Sequence, residues 1–244
     1  MTTCPTLLSP ASPSRFRTSC RTVLVAAIAT LSIAASAQPA TTSAQPATVS
    51  GLESLEAFVK NTKSGRAGFT QVVTSPARDG KVAKTKTSSG SFEFLRPNRF
   101  KFIYQKPFEQ SIVSDGQILW LHDVDLNQVT ARKLAQVLAG TPAAVIAAAA
   151  DLKTLQADFI LAPQPDKDGL EWVEATPKTK DGQVQSILVG FKESGKGSEL
   201  AVLEILDSFG QRSVMRFNQF EVNPALAATS FQFKPPAGAD VIRQ

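Results

Sequence analysis

From residue 50 onward, short apolar-alternating runs are separated by Gly, Pro, Asn and Asp, and helical spacing appears in only a few places. Ser50 and Glu53 stand three apart ahead of Leu52, Leu55, Phe58 and Val59, a capping box opening an amphipathic helix that Gly65 can end. Period-two runs at 67–73, 89–95, 99–104, 110–114 and 117–121 predict strands. The breaks between them, at Pro76, Asp79-Gly80, Pro97-Asn98, Pro107 and Asp115-Gly116, favour hairpins and hence an antiparallel sheet. Residues 132–138 and 142–150 read as two short helices, the first closed by Gly140, the second capped by Thr141 and opened by Pro142. Strands resume at 157–161, 169–175, 183–191, 200–207 and 211–220, with a last one at 231–234. About ten or eleven strands at this spacing imply a mainly β barrel or sandwich.

One stretch of this pattern is unusual. Phe92 and Phe94 share one side of a strand, and Phe100, Phe102 and Tyr104 share one side of the next. The result is a sheet with an aromatic face, suited to holding an apolar ligand. The 142–150 helix, with AAVIAAAA at its centre, is rich in small residues; it can cover a surface and lift from it without rebuilding a core.

The segment before residue 50 bears on compartment. Arg15, Arg17 and Arg21 precede an apolar stretch from Val23 to Ile33, and Ala35-Ser36-Ala37 offers a cleavage site before Gln38. Residues 1–37 therefore read as a signal peptide, whose apolar part, 23–37, is too short and weakly apolar to span about 30 Å of hydrocarbon. Residues 38–49 complete a duplicated SAQPATT/SAQPATV and read as a flexible linker, leaving 50–244 as a single domain. Both cysteines, Cys4 and Cys20, fall in the leader, and Cys20 precedes the apolar stretch, so neither a disulfide nor a lipid anchor is expected in residues 38–244. Without the leader's three arginines the net charge falls from +5 to +2, with 23 basic and 21 acidic residues. A nucleic-acid partner is not implied. Lys81, Lys84 and Lys86 sit among Thr, Ser and Gly, as at a solvated hairpin tip. A bacterial periplasm is the expected compartment.

Catalytic chemistry is sparse. His122, the single histidine, has no second histidine or mature-chain cysteine with which to build a zinc set, and reads as a surface residue at a strand end. No G-x-S-x-G elbow is present. Gly190 to Gly197 resembles a phosphate loop, but Gly197 stands where a magnesium-holding Ser or Thr belongs, so a hairpin is the reading. Glu171 and Glu174 are three apart on a strand and point to opposite faces. Neither an enzyme nor a cofactor is expected.

The ordered landmarks do point somewhere. They are the helix from Ser50, GFTQ at 68–71, LRPNRF at 95–100, VSDG at 113–116 followed by Leu119-Trp120, Gly140-Thr141-Pro142, and FQFKPPAG at 231–238. In this set the chain resembles the periplasmic outer-membrane lipoprotein carrier family, LolA, over essentially all of residues 50–244. The resemblance implies an incomplete, open antiparallel β-barrel with a helical lid over an apolar cavity, and no cofactor. It implies acylated lipoproteins as cargo, received from an ATP-driven inner-membrane transporter and passed to an outer-membrane receptor by a monomeric carrier. Arg96 matches the arginine that hydrogen-bonds lid carbonyls in the family, a latch whose five donors suit several carbonyls. Phe100 is the matching aromatic for cavity or partner contact; Phe92, Phe94, Phe102, Leu119 and Trp120 are further candidates, and Val145 and Ile146 are candidates for the lid's underside. The chain departs from the family in Leu121-His122-Asp123-Val124 and in the small side chains of the lid. A carrier of another lipid or glycolipid, or an envelope-stress sensing module, on the same half-barrel is the competing reading.

Overall fold

The computed structural model describes residues 50–77, 82–138, 141–179, 182–195 and 197–244. The predicted leader and linker, and Asp79, Gly80, Lys81, Gly140 and Lys196, lie outside the described residues. The capping box forms as read: the Glu53 amide donates to Ser50 Oγ at 3.4 Å, and the Ser50 amide donates to Glu53 Oε2 at 2.8 Å. Helix α1 spans Gly51–Asn61 and ends at Thr62 rather than at Gly65, which belongs to the first strand. Removing the reciprocal cap, Ser50→Ala, is expected to cost about 1 kcal/mol, read as a thermal midpoint lower by roughly 2–4 °C.

Among the described residues twelve strands form one sheet: β1 Ser64–Ser75, β2 Lys84–Leu95, β3 Arg99–Lys106, β4 Gln110–Asp115, β5 Ile118–Asp123, β6 Gln128–Lys133, β7 Phe159–Lys167, β8 Leu170–Pro177, β9 Val184–Ser194, β10 Gly197–Asp207, β11 Arg212–Val222 and β12 Asp240–Arg243. Their order is β12-β6-β5-β4-β3-β2-β1-β11-β10-β9-β8-β7. All pairings are antiparallel except β12 on β6. Two meanders, β1 to β6 and β7 to β11, are thus joined where β1 pairs with β11. The sheet does not close: β7 is one edge and β12 the other.

This topology places the lid. To pass from β6 to β7 the chain must cross from one side of the open sheet to the opposite edge. It does so through α2 (Leu134–Val137), a π-helical turn (Ala144–Ala148) and α3 (Leu152–Asp158). The connection meets β6 through α2, β3 through the π-helical turn and β7 through α3, while α1 packs against β7 to β10.

Four sequence expectations need correction. The helix expected at 132–138 is only Leu134–Val137, because β6 takes residues up to Lys133 into the sheet. The expected 142–150 helix is π-helical over Ala144–Ala148. The strand expected from 157 begins at Phe159, because Asp151 caps α3 by accepting from the Thr154 amide at 2.7 Å. Finally, 231–234 is not a strand. A 3-10 turn, Ala228–Phe231, lays Phe231 against the outer face of β3 and β4, with 0% of it exposed.

Candidate functional site

Strand alternation sorts the concave face into a gradient. Along β2 the inward positions run Phe94, Phe92, Gly90, Ser88, Lys86, and along β3 they run Phe100, Phe102, Tyr104. Phe92 stacks on Phe102 with ring centroids 4.4 Å apart, and Phe94 packs against Phe58 of α1 at 6.0 Å. The end under the lid is therefore aromatic, and the opposite end is polar.

Two adjoining spaces follow this gradient. Beneath the lid is an apolar cavity of about 200 Å³. Its walls are Phe100, Phe102 and Tyr104 from β3, Ile112 and Leu119 from β4 and β5, and Leu203, Ile205 and Met215 from β10 and β11. Its roof is Leu134, Val137, Leu138, Thr141, Pro142 and Ala143. Toward the hairpin tips lies a wider, more polar space of about 490 Å³, bounded by residues that include Lys86, Ser88, Phe108, Glu109, Asp123 and Leu126. Gln71 and Tyr104 line both. At that open end Phe108 and Leu126 are 59% and 70% exposed, with Lys86 Nζ 4.9 Å from the Phe108 ring centroid.

Arg96 stands at the other end, in the β2–β3 turn, whose Asn98 has a φ of 66°. Its Nε donates to the Thr62 carbonyl at 2.9 Å, and its Nη1 donates to the Ala149 carbonyl, just past the π-helical turn, at 2.7 Å. The guanidinium carbon lies 5.2 Å and 5.3 Å from the ring centroids of Phe58 and Phe94. Nη2 is buried without an acceptor among the described residues. Burial pushes the Arg96 pKa down to about 10, so the side chain stays charged at any physiological pH while meeting a desolvation cost that its carbonyl bonds offset. A second tie runs alongside: the Asn98 amide donates to the Ala147 carbonyl at 3.2 Å, and Ser114 Oγ steadies the turn by donating to the Asn98 carbonyl at 2.7 Å.

The sequence candidates separate in space. Phe100, Phe102 and Leu119 line the cavity under the lid, while Phe92 and Phe94 lie in the adjoining core. Val145 and Ile146 are buried in the same core at 0% and 1% exposure. Trp120 does not line the cavity. Being next to Leu119 on β5, it points to the outer face, where its ring packs 5.5 Å from Phe233 and its Nε1 donates to Asp115. His122 shares that outer face, 5.8 Å from Phe233. Glu171 and Glu174 diverge as expected: Glu171 accepts from Ser54 Oγ of α1, and Glu174 accepts from Gln164 Nε2. Among the described residues no three His, Cys, Asp or Glu gather as a metal site. No helix among them is long and apolar enough to cross a membrane.

Sequence reading missed the roof residues Leu134, Val137, Leu138, Thr141, Pro142 and Ala143, the wall on β10 and β11, and the Gln71–Tyr104 boundary. Gln71 carried a usable signal, since it interrupts the inward series Ala67, Phe69, Gln71, Val73.

Comparison with known proteins gives the family. A protein called "Outer-membrane lipoprotein carrier protein" from Albidiferax ferrireducens is 70% identical over 194 residues, covering 80% of this chain and 91% of its own. A protein of the same name from Methylibium petroleiphilum is 56% identical over 193 residues, covering 79% and 89%. Among solved structures, a LolA superfamily protein from Nitrosomonas europaea aligns with a TM-score of 0.43 at 15% identity, over 75% of this chain and 96% of that one, a likeness too loose to carry an argument. The family described as outer membrane lipoprotein carrier protein LolA matches residues 60–234, so the lid, the aromatic wall and the Arg96 turn all fall within the match, and the chain belongs to the LolA family.

Proposed function

We propose that the protein is a periplasmic carrier of acylated lipoproteins, and that the concave face beneath the lid takes the acyl chains. It receives cargo from an ATP-driven inner-membrane transporter, delivers it to an outer-membrane receptor, and works as a monomer without a cofactor. The observation that carries the reading is an apolar cavity roofed by a chain crossover, in a member of a lipoprotein-carrier family.

Physical chemistry sets the demands on such a carrier. Burying a methylene is worth about 0.8 kcal/mol, so three acyl chains with ~45 methylenes represent on the order of 35 kcal/mol. Cargo of that kind does not cross water unaided. Extraction needs energy supplied at the inner membrane, and handover needs a receptor of higher affinity.

The cavity under the lid is about 200 Å³, little more than the ~150 Å³ that holds one benzene in an engineered core. Acyl chains therefore require the lid to rise. Rising breaks the Arg96 bond to Ala149 and the Asn98 bond to Ala147, which makes Arg96 a latch between closed and open forms. Phe100 and Phe102 are then the wall that the chains meet.

Residues 38–244, added to spheroplasts that retain newly made outer-membrane lipoproteins, are expected to bring lipoprotein into the soluble fraction as a stoichiometric complex. Absence of release with a matched transporter present would overturn the lipoprotein reading. Co-purification of a different lipid would replace it.

A further inference from the structure

The boundary between the two spaces carries a band of polar side chains that steps diagonally across the register, past Met215 opposite Gln71. Across four neighbouring strands the inward positions are Tyr104 on β3, Ser88 on β2, Gln71 on β1 and Ser213 on β11, with Gln71 paired to Ser88 in the register. Gln71 Nε2 donates to Ser213 Oγ at 2.7 Å, so the side chain, which lines both spaces, keeps Oε1 as its remaining acceptor. The Tyr104 ring is held edge-on to Phe69 at 5.0 Å, across Gly90, and its hydroxyl has no hydrogen-bond partner among the described residues. On one side of this band the lining is mainly Phe, Leu, Ile and Met; on the other, charged and polar Lys, Ser, Glu and Asp stand beside Phe108 and Leu126.

An all-hydrocarbon occupant gains nothing from such a band and must desolvate it, at a cost for each unpaired polar group. An amphiphile with carbonyl groups directly beyond its hydrocarbon chains would match it. We infer that Tyr104 and Gln71 form a subsite for the ester and amide linkage of the cargo, with chains under the lid and peptide at the open end. The inference rests on the carrier reading and adds orientation to it. Tyr104 donates to a carbonyl, and Gln71 accepts from an amide N–H. Burial pushes the Tyr104 phenol up to about 12, so it remains a neutral donor at physiological pH.

The test compares methyl palmitate and N-methylpalmitamide with hexadecane as competitors for a bound hydrocarbon fluorophore, diphenylhexatriene, in the wild type, Tyr104→Phe and Gln71→Met. A single ester or amide group separates each of the first two from the hydrocarbon. The expected result is an ester-to-hydrocarbon affinity ratio that falls about fivefold in Tyr104→Phe, the size of one lost hydrogen bond. Gln71→Met is expected to lower the amide-to-hydrocarbon ratio by a similar factor, because Gln71 Oε1 accepts from an amide N–H that the ester lacks. It carries the test if Tyr104→Phe fails to reach a wild-type thermal midpoint. A ratio equal to wild type in the folded variants overturns the subsite while leaving the carrier reading standing. A wild-type protein that binds neither the fluorophore nor its competitors overturns both.

Discussion

Arg96→Leu is expected to take up lipoprotein and to pass it on about thirtyfold less efficiently. In the closed form the guanidinium donates to the carbonyls of Thr62 and Ala149, and so ties α1 and the lid to the β2–β3 turn. Hydrogen bonds from a charged donor contribute about 1.5–3 kcal/mol each. Opposing them are the desolvation that lowers the Arg96 pKa to about 10 and the buried Nη2 without an acceptor. A net bias of about 2 kcal/mol toward the closed form corresponds to roughly thirtyfold. Leucine removes that bias. The open form then costs less, cargo sits more tightly, and the receptor's advantage over the carrier shrinks. Arg96→Lys is expected to restore little, because an ammonium is a point charge and cannot fork to two carbonyls. Uptake and handover are measured separately, in the spheroplast release assay and in transfer to purified receptor. Equal losses in both would assign Arg96 to folding rather than to the latch.

Gly90→Val is expected to have the largest effect on stability. Gly90 sits between Phe69 and Tyr104 in the cavity wall, at the bulge where β2 and β3 shift register. A Cβ there would lie 1.9 Å from the Ile103 carbonyl oxygen and 3.0 Å from the Tyr104 Cα. Both are main-chain atoms of a paired strand and cannot swing aside as a flexible side chain would. The strands must separate locally, at an expected cost of about 3 kcal/mol or more. For a domain of this size that lowers the thermal midpoint by roughly 6–12 °C. A wild-type midpoint in this variant would contradict the tight wall that positions Tyr104.

Much of this architecture was legible in the chain because period-two alternation is local. The aromatic side shared by Phe100, Phe102 and Tyr104, the Ser50–Glu53 cap and the hairpin breaks all follow from spacing. What escaped the reading depends on partners distant in sequence. The QVTARK segment of β6 offers only Val129 and Ala131 to the core and becomes a strand because β5 and β12 flank it. β12 itself has four residues and no alternation to detect. Phe231 and Phe233 alternate as a strand would, yet Phe231 plugs the outer face and Phe233 packs at a tilt against Trp120. Alternation required Leu119 and Trp120 to face opposite ways, but only the curvature of the sheet made Leu119 the inner one. The latch had the same limit. Arg96 stood out by its resemblance to the family, whereas its acceptors at Thr62 and Ala149 are main-chain carbonyls that carry no signature in sequence.

The central claim is that cargo enters only when the lid lifts. Residues 38–244 contain no cysteine, so a pair introduced at Asn98 and Ala147 can be joined without competition. The main chains of these two residues are already hydrogen-bonded, at 3.2 Å, between the β2–β3 turn and the lid. The decisive measurement is lipoprotein uptake by this double variant, crosslinked through a disulfide or a short thiol-reactive linker, and again after reduction or without linker. The expected result is no uptake while the lid is tied and recovery when it is free. Equal uptake in the two states would contradict the account, since the chains would then be held somewhere other than beneath the lid.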